Sequence, residues 1–323
     1  SITTHSPNSF TVNFTNPVAL ASSTYKFTIQ SSKNETLGIK WTPFAIPNYS
    51  EVISTGTFGN GRYVFGGTGN QISLLTSTNG SSWTVTEIPE LGTAFTDSAF
   101  GNGKYVFVND NGDLLTTSDG VTYTIDSHYG TSFFSIAYGN GKFVAVGTAN
   151  WVGEPLIYTS SDGLNWVATS YDSNFFAIWS SVVYASGSFY VIGPGDSIIL
   201  TSGDGVNWVS NSTNLPASDW SSIAETSGIF ATSAMNTSGN QYRSTNATTW
   251  SKSSAPGRTE MLLAASSGVF VGVGREDANL FVGPWIIYSS KDANQWSERS
   301  RINGSNTVAL FFANKEFYAL SDT

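Results

Sequence analysis

Ser160-Ser161-Asp162-Gly163-Leu164-Asn165-Trp166 decides the fold, because the chain repeats it along its length. Ser118-Asp119-Gly120-Val121-Thr122-Tyr123 and Gly203-Asp204-Gly205-Val206-Asn207-Trp208 are further copies. Looser ones run Thr78-Asn79-Gly80-Ser81-Ser82-Trp83, Thr245-Asn246-Ala247-Thr248-Thr249-Trp250 and Lys291-Asp292-Ala293-Asn294-Gln295-Trp296. Each sets Asp or Asn four residues before an aromatic. With a damaged copy ending at Trp41, the aromatics at 41, 83, 123, 166, 208, 250 and 296 recur at intervals of 42, 40, 43, 42, 42 and 46 residues. A period in the low forties built from strand-like sequence is the signature of propeller blades.

One clear repeat shows the content of a blade. Phe134-Ser135-Ile136-Ala137-Tyr138 is an inner strand, Gly139-Asn140-Gly141-Lys142 a tight turn, and Phe143 opens a second strand. Asn-Gly supplies the positive φ angles that two-residue hairpins require. A third strand, Leu156 to Thr159, enters the Asp162 turn, and a fourth leaves it at Trp166. Each unit is then a four-stranded antiparallel meander, A to D from the axis outward. The C-terminal segment from Val308 offers only strands A and B, and the N-terminal segment only C and D, near Tyr25–Gln30 and Gly38–Phe44. Pairing the two ends closes the ring and removes the open sheet edges. The expectation is an all-β, seven-bladed propeller over residues 21–323. Residues 1–20 form an N-terminal arm or edge strand, with Ser9 to Phe14 alternating like a strand.

Composition narrows the function. Charged residues are 11% of the 323, against about a quarter in ordinary domains. The formal net charge is −9, with only 14 Lys and Arg. Nucleic acid is excluded as a partner, since phosphate binding needs a clustered basic surface. No apolar run reaches the roughly 18 residues of a membrane span. Cysteine is absent, so no redox compartment is legible. Ser, Thr and Asn carry the polarity, and the chain begins at Ser1 without Met. Both features fit a secreted or surface-exposed protein.

The Asp162 turn and its copies resemble the Asp-box (bacterial neuraminidase repeat) of sialidase-like propellers, one residue shorter: Ser-x-Asp-Gly-x-x-Trp. The resemblance covers nearly the whole chain as architecture. It implies that Asn79, Asp119, Asp162, Asp204, Asn246 and Asp292 satisfy backbone donors inside their turns while the aromatics plug between blades. Asp and Asn favour such turns by bonding their own backbone. It does not carry the activity. Sialidases hold an Arg-Ile-Pro-type motif and an arginine triad; here the only Arg-Ile is Arg301-Ile302, at the wrong end. The acids of the turns stand nearly alone, so no metal site is expected there, and no cofactor motif occurs.

The turns define a short, uniform face. The D–A linkers and B–C loops lie on the other, which carries the variation that function on repeat scaffolds follows. Aligned inner strands place Phe95, Phe133, Trp179 and Trp220 at the channel mouth, and the longer loops add Trp151, Trp285, Arg275 and Asp277. Aromatics with a few charged groups suit a glycan. The first expectation is a non-catalytic recognition protein that binds glycan on this face. The second is an assembly subunit, such as a viral tail or extracellular filament component, using the arm on a neighbour. The third is a carbohydrate-active hydrolase or lyase built on Asp97, the odd residue in a column of Thr55, Ser135, Ser181 and Ser222, together with Glu260.

Overall fold

The computed structural model describes the backbone of residues 2–4, 10–12, 22–30, 38–44, 46, 49, 52–68, 71–149, 154–169, 178–195, 197–234, 240–254, 259–275, 285–302 and 308–322. Side chains are described for these residues except 2–44, 154–155, 259–260, 275, 302, 308 and 320–322.

Six blades are each one continuous stretch: 52–87, 95–127, 131–168, 181–212, 220–252 and 259–302, numbered 1 to 6 below. Every one is an antiparallel meander in the order A-B-C-D. The remaining four-stranded sheet is a composite, ordered Val308–Ala313, Glu316–Asp322, Ser22–Gln30, Gly38–Phe44. Its two halves meet where Phe27 pairs with Phe317 and Thr24 with Leu320. The expectation of seven blades is corrected accordingly: the chain makes six blades of the repeat, and a composite sheet from its two ends completes the ring. The reason lies in what the repeat counts. Seven aromatics mark seven sheets' worth of motif, but Trp41 sits on a strand whose sheet belongs half to each terminus. The inner strands follow one another round the axis, and Val308–Ala313 packs on both Thr259–Ser266 and Val52–Gly59. At the N-terminus, Phe10–Val12 pairs with Ile2–Thr4 in a separate two-stranded sheet rather than on a blade.

The core lies between blades. Strand B is buried along almost its whole length, as in Tyr63, Val64 and Phe65 or Tyr105 to Val108. Strands buried on both faces lose the polar alternation of a half-exposed sheet. Val64 and Leu74 of blade 1 pack with Phe95, Tyr105 and Phe107 of blade 2 in one cluster. A second contact joins the inner strands. A Cβ at Gly59, Gly101 or Gly139 would stand 2.2, 2.0 or 1.9 Å from the ring of Phe100, Tyr138 or Tyr184 on the following blade. Blade 4 carries Ala185 at this place, and the next blade offers Glu225 instead of an aromatic.

The turns behave as their residues require. In the A–B hairpins Asn60, Asn102 and Asn140 have φ near +46°, followed by Gly61, Gly103 and Gly141 near +75°. In the C–D turn of blade 3, the Asp162 carboxylate accepts the N–H groups of Leu164 at 2.9 Å and Asn165 at 2.8 Å. Ser160 Oγ accepts the N–H of Gly163 at 2.9 Å. Asn79, Asp119, Asp204, Asn246 and Asp292 make the same pair of bonds to the second and third residues after them. These N–H donors hold the carboxyls of Asp162 and Asp204 well below the usual carboxylate range, the third residue's N–H contributing most. The blade 3 turn also tucks against the blade before it. Thr116 Oγ1 donates to Gly163 O at 2.5 Å, and Asn102 Nδ2 donates to Ser161 O at 3.1 Å.

Candidate functional site

Two concavities border the central blades. The first is the central channel, a cavity of about 360 Å³ walled by the inner strands. Its polarity is divided. Blades 1 to 5 and their linkers contribute Ser54, Thr55, Thr96, Asp97, Ser135, Ser180, Ser181, Ser221 and Ser222 with Phe134, Val182 and Ile223 among them, whereas blade 6 and the composite sheet contribute only Leu262, Leu263, Ala309, Leu310 and Phe311.

A bulge in the inner strand produces this lining. In blades 1, 2, 3, 5 and 6 the register between strands A and B shifts near the mouth, as between Ile53 and Thr55 or Phe133 and Ser135. A bulge turns two successive side chains toward one partner residue. The residue after the bulge, and Ser181 at the matching place in blade 4, reaches the next blade's backbone. Asp97 accepts Ile136 N–H at 2.9 Å, Ser135 accepts Val182 N–H at 3.3 Å, Ser181 accepts Ile223 N–H at 3.3 Å and Ser222 accepts Leu263 N–H at 3.2 Å. The residue before it donates to carbonyls. Thr96 Oγ1 reaches Phe133 O at 2.8 Å and Ser180 Oγ reaches Trp220 O at 2.7 Å. Two rows of side chains therefore staple blade to blade around the axis.

Asp97 is the exception in chemistry but not in place. Its carboxylate also takes Ser135 Oγ–H at 2.9 Å and its neighbour Ser98 N–H at 2.8 Å. Its side chain opens onto the channel yet is surrounded by protein, and that loss of bulk water pushes its pKa up to about 6 despite the three donors. No cation pairs with it among the described residues.

The second concavity is an open groove of about 780 Å³ between blades 2 and 3. Thr124 and Asp126 on the outer strand of blade 2 form one side, and Leu164, Asn165, Trp166 and Val167 of the blade 3 turn form the other. His128, in the linker to blade 3, closes one end. Its Nε2 lies 3.1 Å from Asp126 Oδ2, and its ring meets Tyr158 edge-on at 4.7 Å. The linker is fixed by His128 N–H to Gly112 O at 2.8 Å and Thr131 Oγ1 to His128 O at 2.7 Å. Trp166 is half-buried, while Val167 is 63% and Leu164 43% exposed. Asn165 donates through Nδ2 to Asp162 at 2.7 Å, which turns its amide oxygen away from that bond.

The expected mouth platform takes a different form. Phe95, Phe133, Trp179, Trp220 and Trp285 are all buried, none more than 5% exposed. Trp220 donates its indole N–H to Pro216 O at 3.1 Å and packs edge-on against Tyr242. Buried rings of this size plug the sheet ends, and they offer no free face for a sugar in this structure. For Phe95, Phe133 and Trp220 the correction follows from the bulge, which the aligned repeats do not display and which turns the mouth residue into the interface between blades. Trp179 is buried in its hydrophobic cluster without a register shift in its blade. Trp151 and Asp277 lie outside the described residues, and Arg275 and Glu260 are described in backbone only, paired strands of blade 6. Among the expected site residues whose side chains are described, Asp97 is the one found on a concave surface. The groove was missed because its aromatic belongs to the repeat motif.

Comparison with known proteins adds the architecture. Residues 180–311 match the family model of the DUF6242 beta propeller domain. No curated protein sequence matches significantly. Among solved structures, a catalytically inactive virginiamycin B lyase from Staphylococcus aureus with quinupristin superposes with a TM-score of 0.67 at 13% identity, over 85% of this chain and 97% of that one. YCF48 bound to D1 peptide gives 0.59 at 16%, over 92% and 98%. The RRP9 WD40 repeats give 0.60 at 6%, over 85% and 96%. The chain is a β-propeller, and likeness at this level of identity is likeness of fold.

Proposed function

We propose that the protein is a non-catalytic recognition module, secreted or surface-exposed, that binds glycan in the groove between blades 2 and 3. One observation carries the reading: a half-buried indole, Trp166, borders the same groove as Asp126, His128, Asn165 and Thr124. A sugar presents an apolar ring face and a rim of hydroxyls, and an aromatic flanked by planar polar groups matches both. The chemistry of the channel supports the non-catalytic half. Glycosidases set two carboxyls about 5–10 Å apart across the bond they cleave, whereas Asp97 is the only acid among the described lining residues of the channel.

A glycan array tests the reading, with Trp166→Ala and Asp126→Ala beside Trp208→Ala as the equivalent change one blade on. Binding should occur, fall at least tenfold in the first two and persist in the third, each variant being checked by thermal melting. An array with no bound glycan, or equal loss in all three folded variants, ends it.

A further inference from the structure

We propose that the channel pocket beside Asp97 binds a small organic ammonium ion, its charged head on the carboxylate and its hydrocarbon against the apolar wall. Three features of the pocket combine. The carboxylate faces a cavity of about 360 Å³ with no protein cation beside it among the described residues. The hydroxyls around it present lone pairs: Ser54, Thr96, Ser180 and Ser221 give their protons to backbone carbonyls, and Ser135 gives its proton to Asp97 itself. Ser181 and Ser222 accept backbone N–H groups and keep their own O–H donors, but beside Asp97 the committed hydroxyls and the carboxylate leave lone pairs in excess, and an ammonium brings three N–H donors and no acceptor.

The opposite wall selects the class of cation. Leu262, Leu263, Leu310 and Phe311 cover hydrocarbon but offer a bare metal ion nothing, and calcium wants six to eight oxygens around it. Burial also leaves the ionised carboxylate short of solvent, so a cation entering the pocket relieves a cost already present in the empty site. Asp97 is the one titratable side chain among the described lining residues, so the pH dependence of binding belongs to it.

Calorimetric titration at pH 8 tests this with n-butylamine and ethanolamine, against n-butanol and ethylene glycol as uncharged counterparts and sodium and calcium chloride as ion controls. The amines should bind saturably, the neutral compounds and salts should not, and affinity should fall as pH drops below about 6. Asp97→Ser should keep its fold, since three other blades carry Ser at this place, and lose amine binding at least tenfold. If that variant does not fold, the amine-against-alcohol contrast and the pH profile of the wild type still decide. Absence of amine binding at millimolar concentration, equal binding of the alcohols, binding of the metal salts alone, or full retention in folded Asp97→Ser overturns the proposal.

Discussion

Asp162 and Asp97 sit on adjacent blades and meet the same kind of partner, a backbone N–H, with opposite results. In the turn, the partly exposed Asp162 carboxylate receives Leu164, Asn165 and the Asn165 side chain while water still reaches it, so ionisation is favoured. In the channel, Asp97 receives Ile136, Ser98 and Ser135, but desolvation outweighs all three and its pKa rises to about 6. The number of hydrogen bonds does not separate the two; access to bulk water does. The turns hold the blades, and the channel holds a charge that the fold would keep better as a neutral group.

Four substitutions press on that contrast, and the strongest removes a ring buried between blades 4 and 5. Trp220→Ala should cost about 3–5 kcal/mol, the usual loss for a large buried aromatic, read as a drop in the denaturation midpoint. A small loss would mean that the ring is held less tightly than its burial implies. Asp97→Ser should raise stability at pH 8. The sign follows from linkage: folding raises the Asp97 pKa from 3.8 to about 6, so the folded state binds the proton more tightly and stability declines as pH climbs from about 4 to 6. The shift corresponds to no more than about 3 kcal/mol, reduced by water in the channel. Denaturant titrations at pH 4, 6 and 8 should show this slope in the wild type and not in the variant; identical slopes would remove the contrast.

The turns predict the opposite pH behaviour at lower amplitude. Asp162→Ala leaves two N–H groups to water and should cost about 1 kcal/mol at pH 7, with the difference from wild type shrinking as pH falls below the ordinary carboxylate range, because the stabilisation of a depressed carboxyl is lost there. A difference that persists at pH 2 would assign the effect to packing. Asp162→Asn should change stability by less than about 0.5 kcal/mol, since Asn79 and Asn246 make the same bonds in their own turns. A larger loss would show that the charge itself matters in the turn.

Much of the architecture was legible because it is local. The spacing of the aromatics, the Asn-Gly hairpins and the turn carboxyls each act within a few residues, and the chain repeats them. The pairing of the two ends was readable from the missing half-blades, though the motif count overstated how many blades are continuous. The candidate sites were legible only in part. Asp97 stood out against Thr55, Ser135, Ser181 and Ser222, and it does face the channel. Phe95, Phe133, Trp179 and Trp220 looked like a platform because alignment fixes a position along a strand but neither the bulge that redirects the first two and Trp220 nor the packing that buries Trp179. Trp166 and His128 carried only weak signals in the sequence, since one belongs to the motif and the other is an isolated linker histidine that could serve as a base or as an ordinary loop residue.

The sequence by itself determined the meander, its period, its turn conformations and the need to join the ends, because strand alternation and positive-φ turns depend on neighbouring residues. Only the tertiary structure decided which way the inner-strand side chains point, which aromatics are plugs, and that Asp97 lacks a cation among the described residues. Those facts depend on the ring: side chains from blades 1 to 5 reach one channel only when the strands close around an axis, and Asp126 faces Trp166 only when blade 3 packs on blade 2. The burial that raises the Asp97 pKa and opens the channel to an ammonium ligand is a property of that closure, and no single repeat contains it.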